Sequence, residues 1–358
     1  MNLKVFTAFS GYDSQCMALD KLGIDYELVG WSEIDKYAIQ AHNAVYPQWA
    51  ERNYGDISKI DWNEVPDFDL FTYSFPCQGI SSAGKQRGLQ KGSDTRSSLL
   101  WECQKAIEIK RPKYCLMENV AALVSEKFRP FFLEWERLMC RYGYTNYNKV
   151  LNAKDYGIPQ NRERIFMVSI LDPNKAFYWP EPFKLEKRLK DVLEQNVDEK
   201  YYLSEQTIKG FKDHYEQFLE MGDDVSNTLT SVQKDNLVAE PNEGTAKTLC
   251  LNSKVDGKQP SLEHRIYDAE GVSTAMTTGF LPNIKESTSY RIRKLTPREC
   301  FRLMGVTETD IDKIQRSGVS QSQQYKMAGN SIVVDVLEHI FRKMFVDTNQ
   351  ESQQLSLF

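Results

Sequence analysis

Four groups of polar residues interrupt apolar stretches of this chain and could do chemistry together. Cys77 lies in Ser74-Phe75-Pro76-Cys77-Gln78-Gly79-Ile80-Ser81, where the apolar run 68–75 stops at a proline. A thiolate is the most nucleophilic side chain near neutral pH, yet most free cysteines are small buried hydrophobes, and Cys77 alone can be read either way. Glu118, in Glu118-Asn119-Val120, ends the apolar run 114–117. Arg162 and Arg164 occupy the charged turn Gly157-Ile158-Pro159-Gln160-Asn161-Arg162-Glu163-Arg164, which leads into the apolar run 165–171. Gly11 and Glu33 open the chain in a nucleotide-site pattern. A thiol, a carboxylic acid and a cation beside such a site suit one-carbon transfer to an unreactive ring carbon. C5 of cytosine is one: a thiolate added at C6, with hydrogen bonding at N3, turns C5 into an enamine carbon able to take a methyl from a sulfonium.

The elements that must position these residues follow from periodicity. A strand over 3–9, the break Ser10-Gly11-Tyr12-Asp13 and a helix over 14–22 make a strand–turn–helix start. The next strand covers 26–31, with Glu33 just past its end. A carboxylate about 20 residues beyond a glycine turn can accept two hydrogen bonds from a ribose diol, the plain alternative being a solvent-exposed glutamate. A helix over 36–45 follows. In Gly55-Asp56-Ile57, Asp56 could accept from an exocyclic amine while Ile57 packs on a ring, although Gly-Asp pairs also simply make turns. Strands over 68–75, 114–117 and 165–171 alternate with helices over 97–109 and 131–139. The alternation implies an α/β fold with a doubly wound, mainly parallel sheet, whose ligands bind outside the carboxyl ends of the strands. Pro173, Pro180 and Pro182 then mark a boundary, and 185–290 loses the alternation and is rich in Thr, Ser, Asn and Gly. Regular texture returns after Tyr290, with a helix from Pro297 and another over 332–345 after Gly329-Asn330-Ser331. The tail 347–358 is polar.

At 358 residues the chain can bury a large domain and a smaller one. Its net charge is −5, so a polyanion must be held by local basic patches and not by the global field. Two patches offer themselves. The loop after Cys77 carries Ser81, Lys85, Arg87 and Arg96, and Arg291, Arg293, Lys294, Arg298 and Arg302 are opposed in their own window only by Glu299. A solvated turn and a solvated helix face are the ordinary readings of such runs. There is no run of ~18 apolar residues and no signal-peptide layout at the N-terminus, so a cytoplasmic protein without a membrane partner is expected. Seven cysteines without a Cys-x-x-Cys pair, and only four histidines, argue against a disulfide framework and a metal site.

The motifs together resemble those of the bacterial DNA (cytosine-5)-methyltransferases of restriction–modification systems. Pro76-Cys77-Gln78 is similar to that family's nucleophile motif and Glu118-Asn119-Val120 to its acid motif. Gln160-Asn161-Arg162-Glu163-Arg164 is similar to its Gln-x-Arg-x-Arg motif. Arg293 to Cys300 and Gly329-Asn330-Ser331 match its two C-terminal motifs, all in the family's order. The resemblance implies a Rossmann-like S-adenosylmethionine-dependent methyltransferase fold over 1–184 and 291–346, with a smaller loop-rich target-recognition domain over 185–290. It implies S-adenosylmethionine as donor, S-adenosylhomocysteine as product, and a pocket lined by Phe9, Gly11, Tyr12, Glu33, Ile34, Asp56, Ile57, Pro76, Leu99, Asn330 and Ser331. It implies Cys77 as nucleophile at C6, Glu118 at N3 and the exocyclic amine, and Arg164 and Arg162 orienting the base and Glu118; a structural ion pair is the other reading of these arginines. The acceptor would be double-stranded DNA with the target base flipped out. Gln78, Ser81, Lys85, Arg87, Arg96 and Arg298 would lie against DNA, and Gln233, Lys234 and Arg265 would reach base edges. A monomer is expected; an orphan enzyme and one with a cognate restriction endonuclease in the same system are both open. One position departs from the family's Phe-x-Gly-x-Gly: Asp13 stands where the last glycine would be, in a turn that favours positive φ. A transfer-RNA cytosine-5 methyltransferase, a silent DNA-binding regulator on the same fold and a nicotinamide-dependent oxidoreductase are the rival readings.

Overall fold

Strand β1 (Leu3–Ala8) is buried at every position but Lys4, as expected for a central strand covered on both faces. In the computed structural model the chain is described over residues 2–76, 99–204, 225–226, 237–241, 272–274 and 290–347. Cys77, Gln78, Ser81, Lys85, Arg87, Arg96, Gln233, Lys234 and Arg265 lie outside the described residues, as does the tail from 348 onward. The chain divides into two compact units. One comprises Met1–Leu151, Glu163–Glu181 and Val336–Phe358, the other Asn152–Arg162 and Pro182–Asp335. The second is wider than the expected recognition segment, since it takes in 291–335.

In the first unit, β1 is followed by α1 (Ser14–Lys21), β2 (Tyr26–Ser32), α2 (Lys36–Val45), β3 (Leu70–Tyr73), α3 (Leu100–Lys110), β4 (Tyr114–Val120) and α4 (Arg129–Arg141). Then come β5 (Thr145–Asn152) and β7 (Glu163–Ile170); between them in sequence lies β6 (Gln160–Asn161), which belongs to the second unit. The six-stranded sheet runs β2-β1-β3-β4-β7-β5. β1 pairs parallel with β2 and β3, β3 parallel with β4, and β4 antiparallel with β7. Order reverses between β1 and β3, which makes the carboxyl ends of β1, β2, β3 and β4 the expected ligand edge. One face of the sheet carries an aromatic core that includes Phe6, Trp62, Phe68, Phe71, Tyr73, Trp101 and Trp135. Tyr73 and Trp135 are joined edge to face and by a 3.1 Å hydrogen bond from the indole N–H to the phenol oxygen. The chain's end returns to this unit, with Lys21 on α1 3.7 Å from Glu338.

The expected strand over 68–75 is shorter, because Phe68 and Phe75 are buried as flanking side chains and not as ladder residues. The edge strand β5 had no apolar signal: Thr145 to Val150 are exposed or half-buried, and only Leu151 and Asn152 are covered. In the second unit, β6 pairs parallel with Val272–Thr274, and Tyr290–Lys294 pairs antiparallel with Leu237–Pro241. Helices α5 (Pro297–Arg302), α6 (Glu308–Arg316) and α7 (Gln321–Asn330) follow, then α8 (Val334–Phe341), most of which belongs to the first unit. Thr296 and Glu299 form a reciprocal capping box on α5, satisfying two of the helix's orphan N–H groups. Glu299 also pairs in both carboxylate oxygens with the fully buried Arg293.

Candidate active site

The loop from β1 to α1 carries three left-handed residues, Phe9 (φ 55), Gly11 (φ 59) and Asp13 (φ 70). A bulky residue such as Phe9 costs about 1–3 kcal/mol in that region, so the surroundings must impose the shape. Much of that restraint comes from Glu33 at the tip of β2. Its Oε2 accepts from the Gly11 N–H at 3.0 Å, and its Oε1 accepts from the N–H groups of Ile34 and Asp35 at 2.8 and 2.9 Å. A third segment is tied in by Asn53, to which the sequence reading gave no role. Its Oδ1 accepts from the N–H of Glu33 and of Gly55, and its Nδ2 donates to the Glu33 carbonyl. This sets Gly55-Asp56-Ile57 beside Glu33. Asp56 is held as an anion: hydrogen bonds from the Ser58 hydroxyl and N–H lower its pKa below the ordinary carboxylate value. Ile57 is buried, while Ile34 is 71 % exposed.

The first unit therefore gathers Phe9, Gly11, Glu33, Ile34, Asp56 and Ile57 at one sheet edge, with Pro76 and Leu99 half-buried at the ends of their own segments. Tyr12, also expected in the donor pocket, is 1 % exposed. Asn330 and Ser331 lie in the second unit, at the end of α7, where the Ser331 N–H donates to the Ala328 carbonyl.

Glu118 is the fifth residue of β4 and only 7 % exposed. The β4–β7 register sets Arg164 opposite Val120 and Phe166 opposite Glu118. Residues 118 and 120 share a face of the strand, so Arg164 reaches Glu118 on the diagonal; its Nε lies 3.3 Å from Oε1. Antiparallel register thus brings a carboxylate and a cation together here. Asn119, on the opposite face, donates from Nδ2 to the Phe75 carbonyl at 2.9 Å and accepts the Val120 N–H at 2.9 Å. That bond stitches the end of β4 to the chain two residues before Cys77.

Two more expected site residues have partners from distant segments. Arg162 is buried, and its Nη2 donates to the carbonyls of Gly329 and Ser331 at 2.9 and 2.6 Å. It anchors the backbone of the Gly-Asn-Ser motif inside the second unit. Its motif neighbour Gln160 does likewise, donating to the Leu303 carbonyl at 2.7 Å. Arg298, expected against DNA, is enclosed by acids from beyond its own sequence window. It reaches Glu308 at 2.7 Å and Glu194 at 3.7 Å, and also bonds Asp312. Arg302 pairs with Glu308 at 2.7 Å. Tertiary folding thus pairs Arg298 and Arg302 with acids from outside their own sequence window.

The six-stranded sheet, with its glycine-containing first turn and acids at the ends of β2 and β4, is the fold of the S-adenosylmethionine-dependent methyltransferases. Solved structures agree. The Entamoeba histolytica methyltransferase EhMeth superposes with a TM-score of 0.68 over 97 % of this chain and 99 % of its own at 17 % identity. The S. pombe Dnmt2 methyltransferase gives 0.65 over 97 % and 100 % at 18 % identity. Sequence comparison narrows the class. A profile of the C-5 cytosine-specific DNA methylases matches residues 3–346. The chain is 36 % identical to the type II methyltransferase M2.ScrFI of Lactococcus lactis subsp. cremoris, covering 96 % of this chain and 99 % of that one. It is 32 % identical to the type II methyltransferase M.HhaI of Haemophilus parahaemolyticus, over 94 % and 93 %, and 31 % identical to the orphan methyltransferase M.SPRI of Bacillus phage SPR, over 98 % and 99 %. The protein belongs to the C-5 cytosine-specific DNA methylase family and is a DNA cytosine-5 methyltransferase. No helix among the described residues is long and apolar enough to cross a membrane.

Proposed function

We propose that the enzyme methylates C5 of a flipped-out cytosine in a specific double-stranded DNA sequence through a transient bond between Cys77 and C6. The observation that carries this reading is the stitching of two strand ends. Asn119 holds the Phe75 carbonyl while its neighbour Glu118 faces Arg164, so the nucleophile's approach and the acid are built on one hydrogen-bonded frame. The donor's residues fit: Glu33 presents a carboxylate already oriented by three backbone N–H groups, and Asp56 is held ionised beside an apolar Ile57. S-adenosylmethionine, when bound there, supplies an electrophilic methyl.

The chain's own residues do the rest. The Cys77 thiolate gives an electron pair to C6, and the C5–C6 π pair is drawn toward N3. Glu118 hydrogen-bonds N3 and the exocyclic amine, stabilising that charge where it develops. Arg164 holds the Glu118 carboxyl in place. Once C5 carries the methyl, its proton passes to a base in solution, and the pair left behind re-forms the C5–C6 double bond and expels the Cys77 sulfur as thiolate. Arg162 acts at one remove, by fixing the carbonyls on either side of Asn330. Residues 185–290 are the segment proposed to choose the sequence, and an orphan enzyme or one paired with a restriction endonuclease would use the same chemistry. Methyl incorporation from labelled donor into duplex DNA tests the reading. Cys77→Ala should abolish it while duplex binding persists, and unchanged methylation by that variant would refute the mechanism. Transfer RNA as acceptor should take no label.

A further inference from the structure

Asp13 occupies a position where glycine would cost nothing, and the buried groups around it serve no step described above. Its backbone is left-handed, φ 70 and ψ 60, which a residue with a side chain keeps only when its surroundings hold it there. Three contacts do so. Oδ1 accepts from the Cys16 N–H at 3.2 Å, capping α1. Oδ2 accepts from the Thr7 hydroxyl of β1 at 2.9 Å. Nε2 of His42, on α2, stands 3.4 Å from the same Oδ2, long for a hydrogen bond but within ion-pair reach. Both side chains are completely buried. The imidazole lies flat on Trp31 of β2, ring centroids 3.7 Å apart and planes 20° from parallel, and its Nδ1 is 3.4 Å from the Asn43 side-chain oxygen. Stacking fixes the plane of the ring and so the direction of Nε2. The loop is therefore tied twice to the same β2–α2 region: at Gly11 through Glu33, and at Asp13 through His42.

We infer that the buried Asp13–His42 pair is the positioning element of the donor loop, holding by the close approach of carboxylate and imidazole the turn that a glycine would hold by conformational freedom. A carboxylate buried without a compensating partner is costly. The imidazole offsets that cost and keeps the left-handed turn in place. Without it, Oδ2 keeps only the Thr7 hydroxyl, and the loop is free to relax at the residue that closes it. Neither side chain is exposed enough to touch the donor, so the effect falls on donor affinity and not on the chemical step. The inference rests on residues 9–13 being the donor loop.

The test is equilibrium binding of S-adenosylhomocysteine to the full chain, with kcat and donor KM for methyl incorporation into duplex DNA. His42→Phe keeps a flat ring against Trp31 and removes Nε2; Asp13→Asn keeps an acceptor and a residue tolerant of the left-handed region but removes the charge. His42→Phe should weaken S-adenosylhomocysteine binding about tenfold, the scale of one lost contact between a carboxylate and an imidazole. Donor KM should rise in step, and kcat at saturating donor and the KM for DNA should hold. Asp13→Asn should behave alike, and the double variant should be no worse than either, because both break one contact. Asp13→Asn carries the test if His42→Phe does not fold. Parental affinity in a folded variant overturns the inference, as does a loss of kcat with donor affinity intact. A parent chain that fails to bind S-adenosylhomocysteine overturns the donor assignment itself and the inference with it.

Discussion

Replacing Asn119 by aspartate isolates one hydrogen bond. The two side chains have the same shape, so no cavity opens. The Val120 N–H keeps its acceptor, since aspartate also offers an oxygen where Oδ1 now lies, 2.9 Å away. What disappears is the donor at Nδ2: the Phe75 carbonyl, now 2.9 Å from an N–H, would face a second oxygen. Asn119 and Phe75 are 3 % and 2 % exposed, so water does not easily replace the lost partner. A buried acceptor stranded in this way costs about 1–3 kcal/mol. The larger consequence is for turnover. The frame that shifts lies two residues before Cys77, and a misplacement of about 1 Å at a reacting group can cost about 10²-fold. The sign of the pH dependence follows as well. A carboxyl buried against a carbonyl has its folded pKa raised, because desolvation and the neighbouring oxygen both disfavour the anion. The penalty is then absent below the unfolded carboxylate pKa and grows as pH rises through the raised folded value. Once protonated, the introduced carboxyl can also donate to the Phe75 carbonyl. The stability gap between Asn119→Asp and the parent should therefore narrow on acidification. Urea unfolding at several pH values, with methyl incorporation at neutral pH, gives both quantities. A variant as stable and as active as the parent at pH 8 would refute the claim that this bond positions the nucleophile.

Other consequences can be checked separately. Arg164→Ala removes the cation 3.3 Å from Glu118 and should lower kcat about 10²-fold without changing donor KM; a parallel rise in donor KM would contradict the assignment. Arg298→Gln should leave the slope of log affinity for DNA against log salt unchanged, since its charge is answered by Glu308, Asp312 and Glu194; a slope smaller by about 1 would restore a phosphate contact. Gly305→Ala should cost about 1–3 kcal/mol by urea unfolding, because φ is +75 and a Cβ would stand 1.8 Å from the Asp335 carboxylate and 3.2 Å from its backbone nitrogen.

Much of the catalytic unit was legible before any coordinates. Apolar runs that stop at Pro76, at Glu118 and after Trp31 mark strand ends to within three residues, since β3 ends at Tyr73 and β4 continues to Val120, and α/β alternation says those ends share one edge. Edge strand β5 was not legible, because Thr145-Asn146-Tyr147-Asn148-Lys149-Val150 is solvated and carries no burial pattern. Helices α6 and α7 were missed for a related reason: their buried faces rest on few residues, Ile311 and Ile314 in one and Tyr325, Met327 and Ala328 in the other.

The sequence by itself determined which residue types stand at the strand ends, and so the chemistry they can do, because periodicity and chain breakers are local and record burial directly. Partnership was decided only in three dimensions. Arg162 and Arg164 are two residues apart and look alike in the motif. Strand register turns Arg164 toward Glu118, whereas Arg162 reaches carbonyls more than 160 positions along the chain. Arg298 and Arg302 were met by acids at 194, 308 and 312, and the carboxylate at 13 was set beside an imidazole on the next helix. Local sequence reports how deeply a charge will sit, but the group that compensates it comes from whichever segment the fold lays alongside, and long-range register alone makes that choice.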